Sequence, residues 1–415
     1  MAGDRVGGDV GPPSRRWADF DHLDPDLLRD PGPTYAAMRR STAPVRVDRH
    51  GGFVALTRYD EVVAAARAAD ALSSRTVSIP PTDDRFIPIT LDGTEHARYR
   101  ALLAPFFAPR EVADREDAIR RTSEAVLDRL APLGSADLSQ ELTQVVPAVT
   151  LLDLIGVPAD DLDRVTGWTH TLIFDEHATA ASGGAAARAL QRYLYDLVDA
   201  RSARSARSAQ GAGGAEGAEP SRGLIDGLLA ASSESMIDRD AVVNIATTLL
   251  YGGLGPTTFL LNGALERIAR DPDLRRQLLA DPAAVTSATE EFLRLVSPVA
   301  SIGRVATTEA GPLGDAAAPG DHVLLVWGAA NRDGAQFADP ESFVADRSPN
   351  RHVAFGIGVH RCLGAHLARL EFRVVVGAVL RRFPDFTVGD PSTVGRLTGH
   401  MAGIHRLPIR FTPVD

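Results

Sequence analysis

The residue with the clearest chemical potential is Cys362, the only cysteine in this chain of 415 residues. A single thiol forms neither an internal disulfide nor a four-cysteine metal cage, so this sulfur is a buried apolar group or a lone ligand. It lies in the segment 355–364, Phe-Gly-Ile-Gly-Val-His-Arg-Cys-Leu-Gly, whose glycines allow a tight backbone close to a flat group. The apolar spacing that follows predicts a helix over 362–383. A helix start stabilises a thiolate through its unpaired N–H groups and its dipole, which favours the ligand role.

Continued by Ala-His-Leu-Ala-Arg, this segment resembles the heme-binding signature of the cytochrome P450 family. The resemblance extends from about Trp17 to the C-terminus. It implies a mainly α protein with a small β region, the cytochrome P450 fold, in which one triangular helical domain surrounds heme b (iron protoporphyrin IX). It also implies that Cys362 is the metal ligand and that Phe355 and Gly364 lie at the cofactor. A thiolate ligand pushes electron density onto iron and favours O–O cleavage, the basis of oxygenase chemistry.

The resemblance assigns four side chains to the two heme propionates. His96 and Arg100 share one face of a predicted helix and match the propionate-binding helix of the family. Arg304, in Ser-Ile-Gly-Arg-Val-Ala, and His360, in the cysteine segment, match two further propionate contacts. Taken singly, each is more typical of a surface arginine or of a histidine whose hydrogen bonds are made within the protein. Together they favour a cofactor role, because the fork of arginine binds a carboxylate at two points.

Glu291 and Arg294, in Glu-Glu-Phe-Leu-Arg, lie on one face of a predicted helix. The resemblance places them at a buried ion pair that braces the fold, where loss of either partner strands a charge at a cost of about 3–5 kcal/mol. The family often adds a second arginine within 339–343, but this chain has Ser342 there. The sequence therefore does not identify a third arm of the brace.

The predicted central helix departs from the family pattern. Most members carry Ala/Gly-Gly-x-Asp/Glu-Thr, whose acid and alcohol relay protons to the reacting oxygen. This chain has Gly-Gly-Leu-Gly-Pro-Thr-Thr at 252–258, so Gly255 replaces the acid and Pro256 replaces the alcohol. Proline lacks an N–H and clashes with the preceding turn at a cost of about 3 kcal/mol or more, which predicts a break in the helix. The candidate catalytic residues are Gly252, Gly253, Pro256 and Thr257.

Several explanations of this departure remain open. Water or a group on the substrate delivers the protons, and ordinary oxygenation continues. Alternatively Thr257 substitutes, although one helical step turns it by about 100° from the usual direction. In a third explanation the relay is dispensable, because the reaction is peroxide-driven oxidation, phenol coupling or another radical closure. A non-catalytic heme-binding sensor, carrier or recruitment protein is the remaining alternative.

The segments that contact substrate in the family are apolar or weakly polar in this chain. The candidate pocket residues are Val77, Phe86, Ile87, Ile89, Leu172, Ile173, Leu250, Leu254, Val299, Ile302, Met401 and Ile404. Each is equally compatible with ordinary core. The mixture predicts a medium-sized, mostly apolar substrate held by a few polar contacts. By analogy with bacterial members of this size, the substrate belongs to specialised metabolism.

The elements that position these residues are mostly helical. Helices are predicted over 33–41, 58–70, 95–107, 110–131, 139–156, 185–203, 224–232, 238–271, 273–280, 283–296 and 362–383, and strands over 45–47, 53–56, 301–306, 322–326 and 407–411. The low-complexity stretch 201–223, rich in Ser, Ala and Gly, is predicted to be a flexible surface loop. We expect a disordered tail over 1–16 and a single domain over 17–415.

Composition excludes several classes of function. The net charge of −10 argues against nucleic acid as a partner. All 44 basic residues are arginine, which excludes Schiff-base catalysis and a phosphate-loop lysine. The polar segment 1–16 lacks the apolar core of a signal or anchor, which predicts a cytoplasmic protein. Residues 241–265 carry no charge, but their Asn, Thr, Gly and Pro content indicates a buried helix rather than a membrane span.

Electrons are expected from a separate donor, because the chain carries no flavin or nicotinamide fingerprint. The resemblance implies a ferredoxin and a ferredoxin reductase as partners. Arg98, Arg110, Arg361 and Arg369 are candidates for a basic patch that docks an acidic donor, and solvated arginines without a partner are the alternative. A peroxygenase is the rival enzymatic class, and turnover with hydrogen peroxide alone distinguishes it.

Overall fold

A computed structural model describes residues 17–41, 44–175, 177–209, 223–235, 237–308, 313–397 and 401–413. The helices are α1 Pro25–Arg29, α2 Gly32–Arg39, α3 Tyr59–Arg67, α4 Gly93–Leu103, α5 Pro109–Ala113, α6 Glu116–Leu130, α7 Val145–Ile155, α8 Leu162–Ile173, α9 Ala180–Ala209, α10 Leu224–Ser235, α11 Arg239–Arg270, α12 Pro272–Ala280, α13 Ala284–Val296, α14 Trp327–Ala330 and α15 Ala365–Arg382. The strands are β1 Val45–Val47, β2 Phe53–Leu56, β3 Leu72–Ser73, β4 Ser135–Asp137, β5 Ile302–Ala306, β6 His322–Leu325, β7 Thr387–Val388, β8 Gly395–Leu397, β9 Gly403–Arg406 and β10 Pro408–Arg410.

The strands form small sheets at the edge of a helical body. The largest has the order β1-β2-β6-β5-β3, with β2 and β6 parallel and the other pairs antiparallel. Strands β4, β10 and β7 form a second sheet, and β8 pairs with β9. The pairing of Arg304 with Val323 fixes the register of β5 on β6, and this register places the Arg304 side chain.

Helix α11 runs through the main hydrophobic core. Asp238 caps its first turn, since the Asp238 carboxylate accepts a hydrogen bond from the backbone N–H of Ala241 at 2.7 Å. Helices α7, α9, α13 and α15 pack around it, and so does strand β9. The uncharged stretch 241–265 is thus buried in protein, as the sequence predicts. In the described ranges, none of the helices combines the length and the apolar character needed to span a bilayer.

The predicted break at Pro256 is wrong, because α11 continues through this residue without interruption. Contacts to neighbouring segments hold the helix close to the proline. Downstream, the Thr258 hydroxyl donates to the Thr143 carbonyl at 2.9 Å, and the buried Asn262 amide donates to the Ile404 carbonyl at 2.8 Å. Gly252, whose carbonyl faces the proline ring, has no side chain to hinder a small tilt of its peptide. The packing of a long buried helix thus offsets a cost of about 3 kcal/mol.

The predicted loop over 201–223 is wrong for its first part, because α9 continues to Ala209. Alanine and arginine are good helix formers, so the composition of 201–209 is compatible with a helix. Arg201 also ties α9 to its surroundings, as its guanidinium donates to the Asp226 carboxylate at 2.7 Å and to the Gly156 carbonyl at 2.9 Å. The remainder of that predicted loop, 210–222, and the predicted tail, 1–16, lie outside the described residues.

Candidate active site

The cysteine segment forms a compact turn before α15. The Cys362 backbone N–H donates to the Phe355 carbonyl at 2.8 Å, which closes the turn. Gly358 has a φ of 80°, and a Cβ at this position would lie 2.6 Å from the Ala66 carbonyl oxygen. Only glycine fits such a left-handed conformation and close approach. Helix α15 begins at Ala365, so the prediction that the helix begins at Cys362 is wrong by three residues.

Burial raises the pKa of the Cys362 thiol. The backbone N–H of Gly364 and the guanidinium groups of Arg100, Arg361 and Arg369 act in the opposite direction, but desolvation outweighs them. The Gly364 N–H at the helix start thus favours the thiolate as the sequence predicts, although burial outweighs this effect and the net pKa is raised. The Cys362 side chain lies among protein atoms, but solvent still reaches it. This is expected of a group that faces an internal space. A metal ion at such a sulfur deprotonates it outright.

The structure brings together His96, Arg100, Arg304 and His360, the side chains that the resemblance assigns to the propionates. They line a single cavity, whose walls are Pro88, Ile89, His96, Arg100, Ile302, Arg304, Trp327, Ile357 and His360. His96 and Arg100 lie one turn apart on α4, Arg304 lies on β5, and His360 comes from the cysteine turn. The rings of His96 and His360 have centroids 4.0 Å apart.

The cavity is electrostatically poised for an anion. Arg304 is only 5% exposed, and burial lowers its pKa to about 10. Burial, followed by the charges of Arg304 and His96, lowers the pKa of His360 to about 3. The nearby Asp92 offsets part of the positive charge in the cavity, since one of its carboxylate oxygens lies 3.8 Å from His360 Nε2. Buried guanidinium groups require anionic partners, so this donor set fits a ligand that carries carboxylates.

Hydrogen bonds to neighbouring groups position these side chains. The Ser74 hydroxyl and His360 Nε2 are 3.1 Å apart, and the Ser74 backbone N–H donates to Asp92 at 2.9 Å. The Arg304 guanidinium donates to the carbonyl of Gly303 at 2.7 Å, which turns the fork along the strand. These contacts preorganise the cationic face before a ligand binds.

The candidate catalytic residues lie on α11 and differ in how accessible they are. Gly252 is exposed and Gly253 and Pro256 are half-buried, although the helix as a whole is buried. Thr257, by contrast, is only 6% exposed. The accessible part of α11 thus presents Gly252 and Pro256. Gly253 faces Leu151, whose Cδ2 would lie 2.8 Å from a Cβ at this position, and Thr257 is buried.

The predicted pocket residues divide into those near the cavity and those in the core. Ile89 and Ile302 line the cavity. A Cβ on Gly255 would lie 3.3 Å from the Met401 sulfur and 3.5 Å from Ile173 Cγ2, so these two side chains pack against the α11 segment. Four further candidates do not line the cavity. The Val77 carbonyl accepts from the Gly303 N–H at 2.8 Å, the Phe86 ring centroid is 6.4 Å from that of Tyr251, and Leu172 and Val299 are half-buried, so their role in the pocket stays a prediction.

The remaining predicted pocket residues are core. Ile87, Leu250, Leu254 and Ile404 are 1–2% exposed and pack in the main hydrophobic cluster. Their burial explains their apolar character, and they are not among the residues that line the cavity, so their role as pocket residues stays a prediction. Pro88 and Trp327 line the cavity but were not among the candidates, because an apolar residue in a loop or a short helix carries no pattern that distinguishes it.

The buried ion pair has a third arm that the sequence does not indicate. Arg294 donates to both carboxylate oxygens of Glu291, at 2.7 and 2.8 Å, and both side chains are fully buried. Arg347 supplies the third arm, with Nε 3.1 Å from each Glu291 oxygen. Arg294 also donates to the carbonyls of Pro340 and Ser342, at 2.6 and 3.0 Å. Residue 342 thus contributes its backbone, whereas the arginine comes five positions later.

A second ion pair removes Arg369 from the predicted basic patch. Its guanidinium donates to both oxygens of Glu290, at 2.6 and 2.7 Å, and stacks 4.6 Å over the ring of Phe355. His352 lies 2.9 Å from the same carboxylate. The stacking of Arg369 on Phe355 fixes the Phe355 ring, and with it the start of the cysteine turn. The other candidates of the patch, Arg98, Arg110 and Arg361, are exposed.

Comparison with known proteins decides the family. A sequence model described as "Cytochrome P450" matches residues 185–392. A steroid C26-monooxygenase of Mycolicibacterium smegmatis is 30% identical over 382 residues, which cover 90% of this chain and 91% of that protein. The chain belongs to the cytochrome P450 family. A mycinamicin IV hydroxylase/epoxidase of Micromonospora griseorubida is 32% identical over 350 residues, which cover 81% of this chain and 84% of that protein.

Solved structures agree with this assignment. The P450 CYP109Q5 of Chondromyces apiculatus superposes with a TM-score of 0.82 at 27% identity, over 96% of this chain and 99% of its own. CYP109E1 of Bacillus megaterium, solved with testosterone, has a TM-score of 0.79 at 26% identity, over 93% and 99%. The predicted family, the predicted fold and heme as the cofactor are thereby confirmed, and the chain is a P450 monooxygenase. The cationic face of the cavity fits the carboxylates of heme.

Proposed function

We propose that this P450 oxidises a medium-sized, mostly apolar small molecule of specialised metabolism, with Cys362 as the thiolate ligand of the heme iron. The observation that carries this proposal is the convergence of His96, Arg100, Arg304 and His360 on one cavity from separate elements of the chain. When bound, heme supplies the activation of molecular oxygen for insertion into the substrate. Arg100 and Arg304 would hold its carboxylates as fork-shaped donors, with both histidines as further partners.

The walls of the cavity support an apolar ligand. Ile89 and Ile302 face it, together with Pro88, Trp327 and Ile357. These side chains supply apolar contacts beside the polar donors, an arrangement that suits a mostly apolar ligand held by a few polar groups. Two relatives are named as acting on a steroid and on mycinamicin IV, which is consistent with a medium-sized substrate. Phe355, fixed by Arg369, and Gly364 complete the proximal side of the proposed site.

Proton supply in this proposal comes from water or from the substrate. Gly255 and Pro256 have no ionisable or hydroxyl group, and Thr257 is buried away from the accessible face. Pro256 also lacks the N–H that would pair with the Gly252 carbonyl one turn earlier. That carbonyl lies on the accessible face of α11 and can accept a hydrogen bond from a water molecule. In this proposal the helix orients a water molecule that serves as the proton donor, because the segment itself has no such group.

The same segment favours a second candidate function. A site without an acid and an alcohol is compatible with peroxide-driven oxidation or with radical coupling, which need no proton relay. The experiment that separates the two is product analysis after optical screening for substrates. The first candidate predicts product with oxygen and a reducing redox system, and peroxide as a poor replacement. Equal or faster turnover with hydrogen peroxide alone supports the second. If no screened compound shifts the heme spectrum or is converted, a non-catalytic recruitment role is favoured.

We further propose that a ferredoxin, reduced by a ferredoxin reductase, delivers the electrons. Arg110 supports this, because it is exposed on α5, which packs against α15 behind the cysteine turn. An acidic donor would dock there through charge attraction that salt weakens. We expect Arg110→Glu to slow reduction by a ferredoxin several-fold at low salt, whereas Arg204→Glu, at an exposed position on α9, leaves the rate unchanged. Equal rates in both variants would exclude this docking face. A cytoplasmic location is part of the same proposal, and fractionation of the native cells tests it.

A further inference from the structure

One side chain joins the central helix to a wall of the cavity. The amide of Asn244, on α11, makes two hydrogen bonds to the backbone of the segment 85–90. The Ile87 N–H donates to Asn244 Oδ1 at 2.8 Å, and Asn244 Nδ2 donates to the Arg85 carbonyl at 2.7 Å. A primary amide presents a donor and an acceptor side by side, so it can pair with a peptide edge as a neighbouring strand does.

The rest of the segment is closed on itself and approaches α11 at two further points. Thr90 donates through its backbone N–H to the Phe86 carbonyl at 2.9 Å, and its hydroxyl accepts from the Phe86 N–H at 2.9 Å. The Phe86 ring meets the edge of Tyr251 with centroids 6.4 Å apart. Ile89 Cδ1 lies 4.0 Å from the Cβ position of Gly252. The segment thus behaves as one turn, and Asn244 holds it by directional bonds.

This turn carries part of the cavity wall. Pro88 and Ile89 line the cavity directly after Ile87, the residue whose N–H is held by Asn244. Ile87 is 2% exposed, so its N–H has no water to replace Asn244 while the segment stays in place. A break of the two bonds therefore favours movement of the whole turn, which would widen the cavity on this side.

We propose that Asn244 is a positioning residue that latches the segment 85–90 onto α11 and thereby limits the size of the ligands that the cavity admits. The proposal deepens the proposed function, because it assigns selectivity for size to a residue outside the cavity wall. It also accounts for a polar side chain in the stretch 241–265, which carries no charge. Asn244 itself is half-buried and does not line the cavity.

The direct test is amide hydrogen exchange in the full-length, heme-loaded protein without substrate. Asn244→Ala removes both bonds, and we expect exchange of the Ile87 amide to accelerate about ten- to a hundredfold. Asn244→Asp keeps the acceptor for Ile87 but turns a second acceptor toward the Arg85 carbonyl, so exchange of the Ile87 amide should again be faster than in the wild type. Thr247→Ala is the matched control, because the Thr247 hydroxyl bonds only within its own helix, to the Val243 carbonyl at 2.9 Å. An Ile87 amide that exchanges as in the wild type in Asn244→Ala would overturn the latch.

A second measurement tests the consequence for ligand entry. Imidazole and clotrimazole serve as a small and a bulky probe, and their binding is followed by the optical change of the heme. In Asn244→Ala we expect clotrimazole to associate about tenfold faster and imidazole to associate at the wild-type rate. An equal change for both probes, or for neither, would overturn control by size. Amide exchange does not depend on turnover, so the two proposals can fail separately. If the exchange rates change as expected but the protein forms no product, only the proposed function is refuted.

Discussion

The buried cluster of Glu291, Arg294 and Arg347 allows the most quantitative prediction about stability. We consider Arg347→Met, which removes the charge and keeps most of the side-chain volume. Arg347 is 9% exposed and places Nε at 3.1 Å from both Glu291 oxygens. It also donates to the Ala338 carbonyl at 2.7 Å. All of these partners lose a donor in the variant.

The expected loss of stability depends on which partners the Glu291 carboxylate keeps in the variant. Removing one partner of a buried ion pair costs about 3–5 kcal/mol, because the other charge is left uncompensated. In Arg347→Met, Glu291 keeps Arg294, the Val344 N–H at 3.0 Å and the Asn350 amide at 3.1 Å. We therefore expect a smaller loss of about 2 kcal/mol in the free energy of unfolding. Arg294→Met leaves Glu291 with Arg347, but it removes two hydrogen bonds to this carboxylate and the donors to the carbonyls of Asn331, Pro340 and Ser342, so we expect a larger loss of about 3–5 kcal/mol.

The assay is urea unfolding of the heme-loaded protein, followed by circular dichroism, with heme absorbance as a second probe. Arg276→Met is the control, because its partner Asp273 lies on the surface and the Arg276 side chain is 70% exposed. Exposed pairs contribute about 0–1 kcal/mol. The expected order of destabilisation is Arg294→Met, then Arg347→Met, then Arg276→Met. If Arg347→Met unfolds at the same urea concentration as the control, the third arm has no structural role and the reasoning is refuted.

Three further changes test other parts of the molecule. Burial raises the pKa of Glu371 to about 8, so between about pH 4.5 and pH 8 the folded state binds more protons than the unfolded state and stability falls as pH rises. Glu371→Gln should remove this decline and stabilise the protein by about 3 kcal/mol at pH 7, a gain that urea titrations at pH 5 should not show. Gly358→Ala forces a Cβ to within 2.6 Å of the Ala66 carbonyl oxygen at a φ of 80°, and we expect a loss of about 2–4 kcal/mol and of bound heme by absorbance. Pro256→Thr should change the fraction of electrons that reach product, measured as product formed per nicotinamide oxidised, and an unchanged fraction and rate would contradict our account of proton supply.

The sequence predicts the regular elements of the fold well where local patterns dominate. Strands β1 and β2 match their predicted bounds, and α11 and α13 differ by about a residue at each end. These segments carry strong periodicity or a clear cap such as Asp238. Helix α8 is absent from the sequence-based prediction, although the spacing of Leu162, Val165, Trp168 and Leu172 is typical of a helix and could have identified it.

The errors arise where tertiary packing overrides local preference. Pro256 predicts a break by its own chemistry, and only the surrounding helices and the Asn262 contact keep α11 continuous. Arg347 carries no local signal, because its partner Glu291 lies 56 positions away. The apolar residues Leu250 and Leu254 carry the same pattern whether they face a ligand or the core. The polar residues of the cavity were identified by resemblance, and no spacing within the sequence connects Arg304 to His96.

The central claim is the bond between the Cys362 sulfur and the heme iron. The most direct measurement is the absorption spectrum of the reduced, carbon monoxide-bound protein, for the wild type and for Cys362→His, prepared under the same conditions. Our account predicts a thiolate-ligated spectrum in the wild type and its complete loss in the variant, with either histidine-type absorption or no bound heme. A thiolate spectrum that persists in Cys362→His, or a wild-type protein that takes up no heme, would contradict it.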